Sequence, residues 1–114
     1  MDKPWGREVW WAVSEVYAGK QIAVRAGMAL SLQYHQFKHE TILFHQGRAR
    51  LLLDGEEREV GPGYVAVIPP GTPHRITAIT DAVLFEVSTP ELDDVVRLED
   101  RYGRAASGDR PDTR

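Results

Sequence analysis

The chain has 114 residues, 42% of them hydrophobic, which sets the expectation of one domain with a single modest core. A formal net charge of -3 argues against nucleic acid as a partner, and the absence of cysteine removes disulfides and thiolate ligands. No apolar run approaches the roughly 18 residues of a membrane span; the opening Met1-Asp2-Lys3-Pro4-Trp5-Gly6 lacks a secretion signal, so a cytoplasmic protein is expected.

Short apolar runs separated by turn residues fill most of the chain. Glu8–Val13 reads as an edge strand, followed by strands over Gln21–Arg25, Leu30–Tyr34, Thr41–Gln46 and Ala49–Leu53. Asp54-Gly55 is the signal of a type I′ hairpin turn, because both central residues of that turn need positive φ. Further strands are expected over Glu57–Val60, Val65–Ile68, His74–Ala78 and Ala82–Ser88. Strands at this spacing predict an all-β fold, a small antiparallel barrel or sandwich. Ser88-Thr89-Pro90-Glu91 has the pattern of a cap with proline at the first helical position, so a short helix or an extension is expected after it. The domain is expected to run over residues 1–104, and residues 105–114 read as a disordered tail.

The stretch "LSLQYHQFKHE" (30–40) places an amide, an imidazole and a carboxylate in a run that should bury one face. Gln33 and His35 alternate with Leu32 and Tyr34, so they point the same way. Glu40 shares its face with Ile42 and Phe44, and His74 follows the loop "IPPGTP" at the start of a strand. Buried groups of this kind are costly unless something satisfies them. Gln33, His35, Glu40 and His74 are therefore candidate ligands of one divalent metal ion, zinc first, with Mn, Co, Ni or Fe as alternatives. The competing explanation is a buried hydrogen-bond network without metal. His39 and His45 read as surface histidines. The aromatic segment containing Trp5, Trp10, Trp11 and Tyr17 reads as packing that closes the fold or a dimer.

The spacing resembles both cupin motifs. Gly27 is followed after five residues by Gln33-x-His35, then Glu40 and Gly47; Gly63 is followed after five residues by Pro69-x-Gly71, then His74. The Gln-x-His variant, with "KPWG", "LSLQYH", "IPPGTPHR", "FEVS" and "DDVVRLEDRYGR" in order, is similar to the cupin domain of type II mannose-6-phosphate isomerases. That resemblance implies a jelly-roll cupin barrel, a homodimer and a sugar-phosphate substrate interconverted between aldose and ketose. No nucleotidyltransferase segment occurs in the sequence, so the pyrophosphorylase activity of the bifunctional enzymes is not expected. Lys38 stands where the family usually has Arg, Ala78 where it has Asn, and Lys3 where it has Arg.

Under the isomerase reading, Glu86, Lys20 and Lys38 are candidates for moving or stabilising a proton, and Arg75 and Arg97 for binding an anionic group. Glu86 could equally form a salt bridge across the sheet. Two other functions stay open: a metal-bearing sugar-binding or sensor module, and an Fe(II)-dependent oxygenase built on the His35, His74 and Glu40 set.

Overall fold

The computed structural model describes residues 1–99. In chain order they form β1 (Asp2–Lys3), β2 (Gly6–Val13), β3 (Ala18–Val24), β4 (Leu32–Tyr34), β5 (Glu40–Gln46) and β6 (Ala49–Leu53). Then come β7 (Glu56–Val60), β8 (Val65–Ile68), β9 (His74–Ala78), β10 (Ala82–Ser88) and β11 (Val96–Glu99). One antiparallel sheet has the order β1-β2-β3-β10-β5-β8 and the other β11-β4-β9-β6-β7. The chain crosses repeatedly between the two sheets, giving the jelly-roll arrangement of an all-β cupin fold. Among the described residues no helix is long and apolar enough to cross a membrane.

Turn chemistry shapes the connections. Asp54 and Gly55 both have positive φ, 51° and 85°, and close the β6–β7 hairpin as its sequence requires. At Gly47 (φ 80°) a Cβ would lie 2.1 Å from the Asp81 carbonyl oxygen, so glycine alone fits the β5–β6 turn.

Of the helix or extension expected after Ser88, the extension forms. His39 N–H donates to Thr89 Oγ1, and Thr89 Oγ1 donates to Glu91 Oε1, so the hydroxyl is drawn to the 39 loop rather than capping a helix. Thr89 N–H in turn donates to the His39 carbonyl. The segment instead turns and continues as β11, which pairs with β4. The tail 105–114 and the RYGR end of the family motif lie outside the described residues.

Inward side chains alternate along each strand. Ile22, Val24, Ile42, Phe44, Leu51, Ile76 and Leu84 pack one core between the sheets. That core occupies one end of the sandwich, where Ala82 pairs with Val24. Toward the other end, where Ser88 pairs with both Ala18 and Glu40, inward positions become polar. Glu8, Lys20, Glu40, His74 and Glu86 are all buried there.

Candidate metal centre

His35 follows β4, Glu40 opens β5 and His74 opens β9. The strand pairing sets Gln33 opposite His74. The Pro/Gly loop before His74 is fastened to the first histidine, since Gly71 N–H donates to the His35 carbonyl at 2.7 Å. These connections bring ligand atoms of His35, Glu40 and His74 within 4.8 Å of one another, a group that could hold a metal ion. His35 Nε2 lies 2.8 Å, and His74 Nε2 3.2 Å, from the same oxygen, Glu40 Oε1.

The other ring nitrogens determine what these contacts mean. His74 Nδ1 is 2.9 Å from the Thr72 carbonyl oxygen, and His35 Nδ1 faces the Asp94 carbonyl oxygen. A carbonyl only accepts, so each Nδ1 carries a hydrogen and donates it. In the neutral rings both Nε2 lone pairs then point at a carboxylate oxygen, which also only accepts. Three lone-pair donors converging in a buried place need protons or a cation between them. Imidazoles oriented by backbone carbonyls beside a carboxylate have the donor chemistry and outer support of a divalent-metal site. Burial pushes the Glu40 carboxyl up, but His35, His74 and Lys38 together outweigh it and hold the group well below the usual carboxylate range. Gln33 is half-buried, and its amide nitrogen donates to Ser31 Oγ at 3.0 Å.

All nine site residues singled out in the sequence line one cavity: Lys20, Gln33, His35, Lys38, Glu40, His74, Arg75, Glu86 and Arg97. Behind the histidines runs an alternating series of charges. Lys38 Nζ lies 4.0 Å from Glu40 Oε2 and 3.5 Å from Glu86 Oε2. Lys20 Nζ lies 3.9 Å from Glu86 Oε1 and 3.1 Å from Glu8 Oε2. Glu8 Oε1 is 3.5 Å from Lys3 Nζ. Glu86 thus faces inward and joins two lysines, which makes its salt-bridge reading a finding. Arg97, on β11, is buried against the same space. Arg75 also lines the cavity, but its guanidinium donates to the Leu30 carbonyl and to Glu99. His39 and His45 are exposed, as expected.

Three parts of this site escape sequence reading. Glu8 escapes because the apolar Val9, Trp11 and Val13 suggest that the opposite face of β2 is buried. Ser31 has no motif to mark it. Asp94 has the most consequence: its carboxylate accepts the N–H groups of Gln36, Phe37 and Lys38 at 2.6–2.9 Å, fastening the loop between His35 and Glu40. Burial raises the Asp94 carboxyl, but the three amide hydrogens outweigh it, so it lies below its ordinary 3.8.

A two-sheet jelly roll with two histidines and a glutamate turned into one end is the architecture of a cupin with a group that could hold a metal ion. Residues 21–88 match the Cupin domain family, and the chain belongs to it. Over 107 residues it is 37% identical to the mannose-1-phosphate guanylyltransferase ManC of Salmonella typhimurium, a match covering 90% of this chain and 22% of that protein. The chain therefore spans about a fifth of the length of that relative. Among solved structures, KdgF from Halomonas sp. superposes with a TM-score of 0.72 at 22% identity, covering 75% of this chain and 79% of that one. A putative sugar phosphate isomerase from Acidithiobacillus ferrooxidans gives 0.65 at 16% identity, covering 72% and 56%. These two likenesses establish the fold.

Proposed function

We propose that this chain is a metal-dependent aldose–ketose isomerase of sugar phosphates, resembling the type II mannose-6-phosphate isomerases and working in the cytoplasm. Gln33, His35, Glu40 and His74 hold its divalent ion, with zinc the first candidate. The observation that carries the reading is the orientation of the two imidazoles: both Nδ1 groups are used on backbone carbonyls, and both Nε2 atoms turn to Glu40 Oε1. Such an ion supplies Lewis-acid polarisation of a substrate carbonyl and its neighbouring hydroxyl.

Charge supports an anionic substrate. Four cationic side chains, Lys20, Lys38, Arg75 and Arg97, line the cavity, Arg75 being paired with Glu99. Cationic groups around a cavity favour a phosphate-bearing ligand. Arg97 is the group we assign to its negative oxygens. Glu86 takes a proton from one substrate carbon and returns it to the next, while Lys20 and Lys38 hold its two oxygens in place. The name of the similar guanylyltransferase refers to a hexose phosphate, which fits mannose 6-phosphate and fructose 6-phosphate as the substrate pair.

The His35, His74 and Glu40 set favours one second reading, because two histidines and a carboxylate also serve non-haem iron oxygenases. Elemental analysis of untagged protein, followed by proton NMR of mannose 6-phosphate incubated with it, separates these cases. About one zinc, manganese, cobalt or nickel per chain with appearance of fructose 6-phosphate is the expected result. Iron with oxygen uptake favours the oxygenase. Metal and retained sugar phosphate without turnover identify a binding module, and a chain that takes up no metal overturns the reading.

A further inference from the structure

The cavity that gathers the candidate site has a volume of about 40 Å³. A space of that size holds roughly three water molecules, whereas pockets for small organic ligands run to about 300–1,000 Å³. A hexose phosphate can therefore be seated only if a wall gives way. The walls are not equally firm. Of the strands that line the cavity, only β11 has a neighbour on one side alone among the described residues. It pairs with β4 over three residue pairs, with a register shift between Arg97 and Glu99. β4 in turn meets β9 at a single pair, Gln33 with His74. In the opposite wall β3 meets β10 over seven pairs without a break. Separating β11 thus breaks the fewest backbone hydrogen bonds, the property that marks a segment able to open locally.

Arg97 is the residue of β11 that lines the cavity, and it is buried, while Leu98 and Glu99 beside it are exposed. Two fastenings hold this strand. Just before it, Asp94 is tied to His35 and to the three amides of the 36–38 loop. At its far end, Arg75 Nη1 donates to Glu99 Oε1 at 2.6 Å and Arg75 Nη2 to the Glu99 carbonyl at 3.2 Å. Arg75 Nε donates to the Leu30 carbonyl at 3.0 Å, so the guanidinium is itself fixed to the chain ahead of β4. The fastenings differ in strength. The Glu99 side chain is 67% exposed, and an ion pair facing water is worth little and is screened by salt. We propose that β11 is the hinged wall of this site, with Asp94 its fixed end and the Arg75–Glu99 pair its latch. Release of the latch carries Arg97 outward and admits an anionic ligand. On closing, Arg97 returns to the ligand's negative oxygens and shuts the cavity from water. Glu99 is thereby a positioning residue that acts through Arg97. This rests on the proposed function only for the size and charge of the ligand.

Amide hydrogen exchange of the full chain, read residue by residue by NMR, tests the wall without any ligand. The amides of β11 should exchange about a hundredfold faster than those of β3 and β10. Glu99→Gln should speed β11 by about a further fivefold, the worth of an exposed ion pair, and leave β3 and β10 unchanged. Entry is read by stopped-flow tryptophan fluorescence on mixing with mannose 6-phosphate, since Trp5 lines the cavity. Glu99→Gln should speed both association and dissociation by a similar factor, and Glu99→Asp, which keeps the carboxylate, should lie nearer wild type. A residue that merely supported the fold would not speed association. Amides of β11 as well protected as those of β3 overturn the proposal, as does association indifferent to Glu99→Gln. A chain that does not bind mannose 6-phosphate overturns the sugar-phosphate reading instead, and the exchange pattern then decides for the hinged wall alone.

Discussion

Asp94 holds His35 across a sequence separation of 59 residues, its backbone carbonyl accepting the imidazole Nδ1–H. The same residue's carboxylate collects three amide hydrogens from the loop that follows His35. One aspartate therefore orients a candidate metal ligand and shapes the turn that delivers Glu40.

Removing that carboxylate should loosen the centre without touching a ligand. Asp94→Ala is expected to lose about 2–4 kcal/mol of stability, because hydrogen bonds to a charged acceptor are among the stronger ones. Asp94→Asn should lose about half as much, since it keeps one acceptor oxygen. The folded carboxyl sits below its unfolded value, so its contribution is complete above the ordinary carboxylate range and fades as pH falls through the folded value. Urea unfolding of wild type and Asp94→Asn should accordingly converge at acid pH. A gap between them that is independent of pH would contradict the clamp.

Metal content tests the ligand set directly. His35→Ala and His74→Ala should each lower affinity for the divalent ion by at least about a hundredfold, beyond the 10–100-fold typical of outer-shell changes. The apolar end of the fold, around Phe44, Leu51 and Leu84, does not involve these residues, so circular dichroism should remain that of a folded sheet protein. Stripping wild type with a chelator and restoring zinc should reproduce the same loss and gain. Retention of stoichiometric metal in the double variant would falsify the site.

Glu86→Gln separates proton transfer from ion pairing. It keeps the shape of the side chain and removes the negative charge between Lys20 and Lys38. Metal content should be unchanged while turnover drops by about 10²–10⁴-fold, the usual cost of a lost acid or base. A loss confined to a raised KM, with kcat unchanged, would reassign Glu86 to holding the lysines.

Glu8 supports the site from β2. Glu8→Ala leaves Lys20 buried without its nearest carboxylate and should cost about 3 kcal/mol, the lower end for breaking a buried pair, because Glu86 Oε1 remains 3.9 Å away. Glu8→Ala combined with Lys20→Met should recover part of that loss, since no unpaired charge is then buried. Equal denaturation midpoints for the single and double variants would show that the pair carries no coupling.

Much of the strand pattern could be read locally. Ala49–Leu53, Val65–Ile68, His74–Ala78 and Ala82–Ser88 form as strands with the boundaries expected of them, because alternation and Gly/Pro punctuation depend on near neighbours. Whether a helix or an extension follows Ser88 could not be read locally, and the extension forms. Thr89, the cap a helix would need, finds His39 only once the chain has folded back, and that contact outweighs a short helix of few internal hydrogen bonds.

The inside and outside of β2 show the same division. Val9, Trp11 and Val13 mark the apolar side, yet Glu8 and the half-buried Trp10 turn toward the site, where Lys20 lies 4.9 Å from the Trp10 ring. A carboxylate is stable inside only when a lysine from β3 stands beside it, and strand pairing rather than local pattern supplies that lysine. By itself the sequence determined the candidate ligand types, their spacing and the strands that carry them, since those follow from residue chemistry and alternation. Only the tertiary structure decided that Asp94 orients His35, that Glu8 belongs to the charged wall, and that the apolar side of β2 faces outward, because each depends on partners that the chain brings together from far apart.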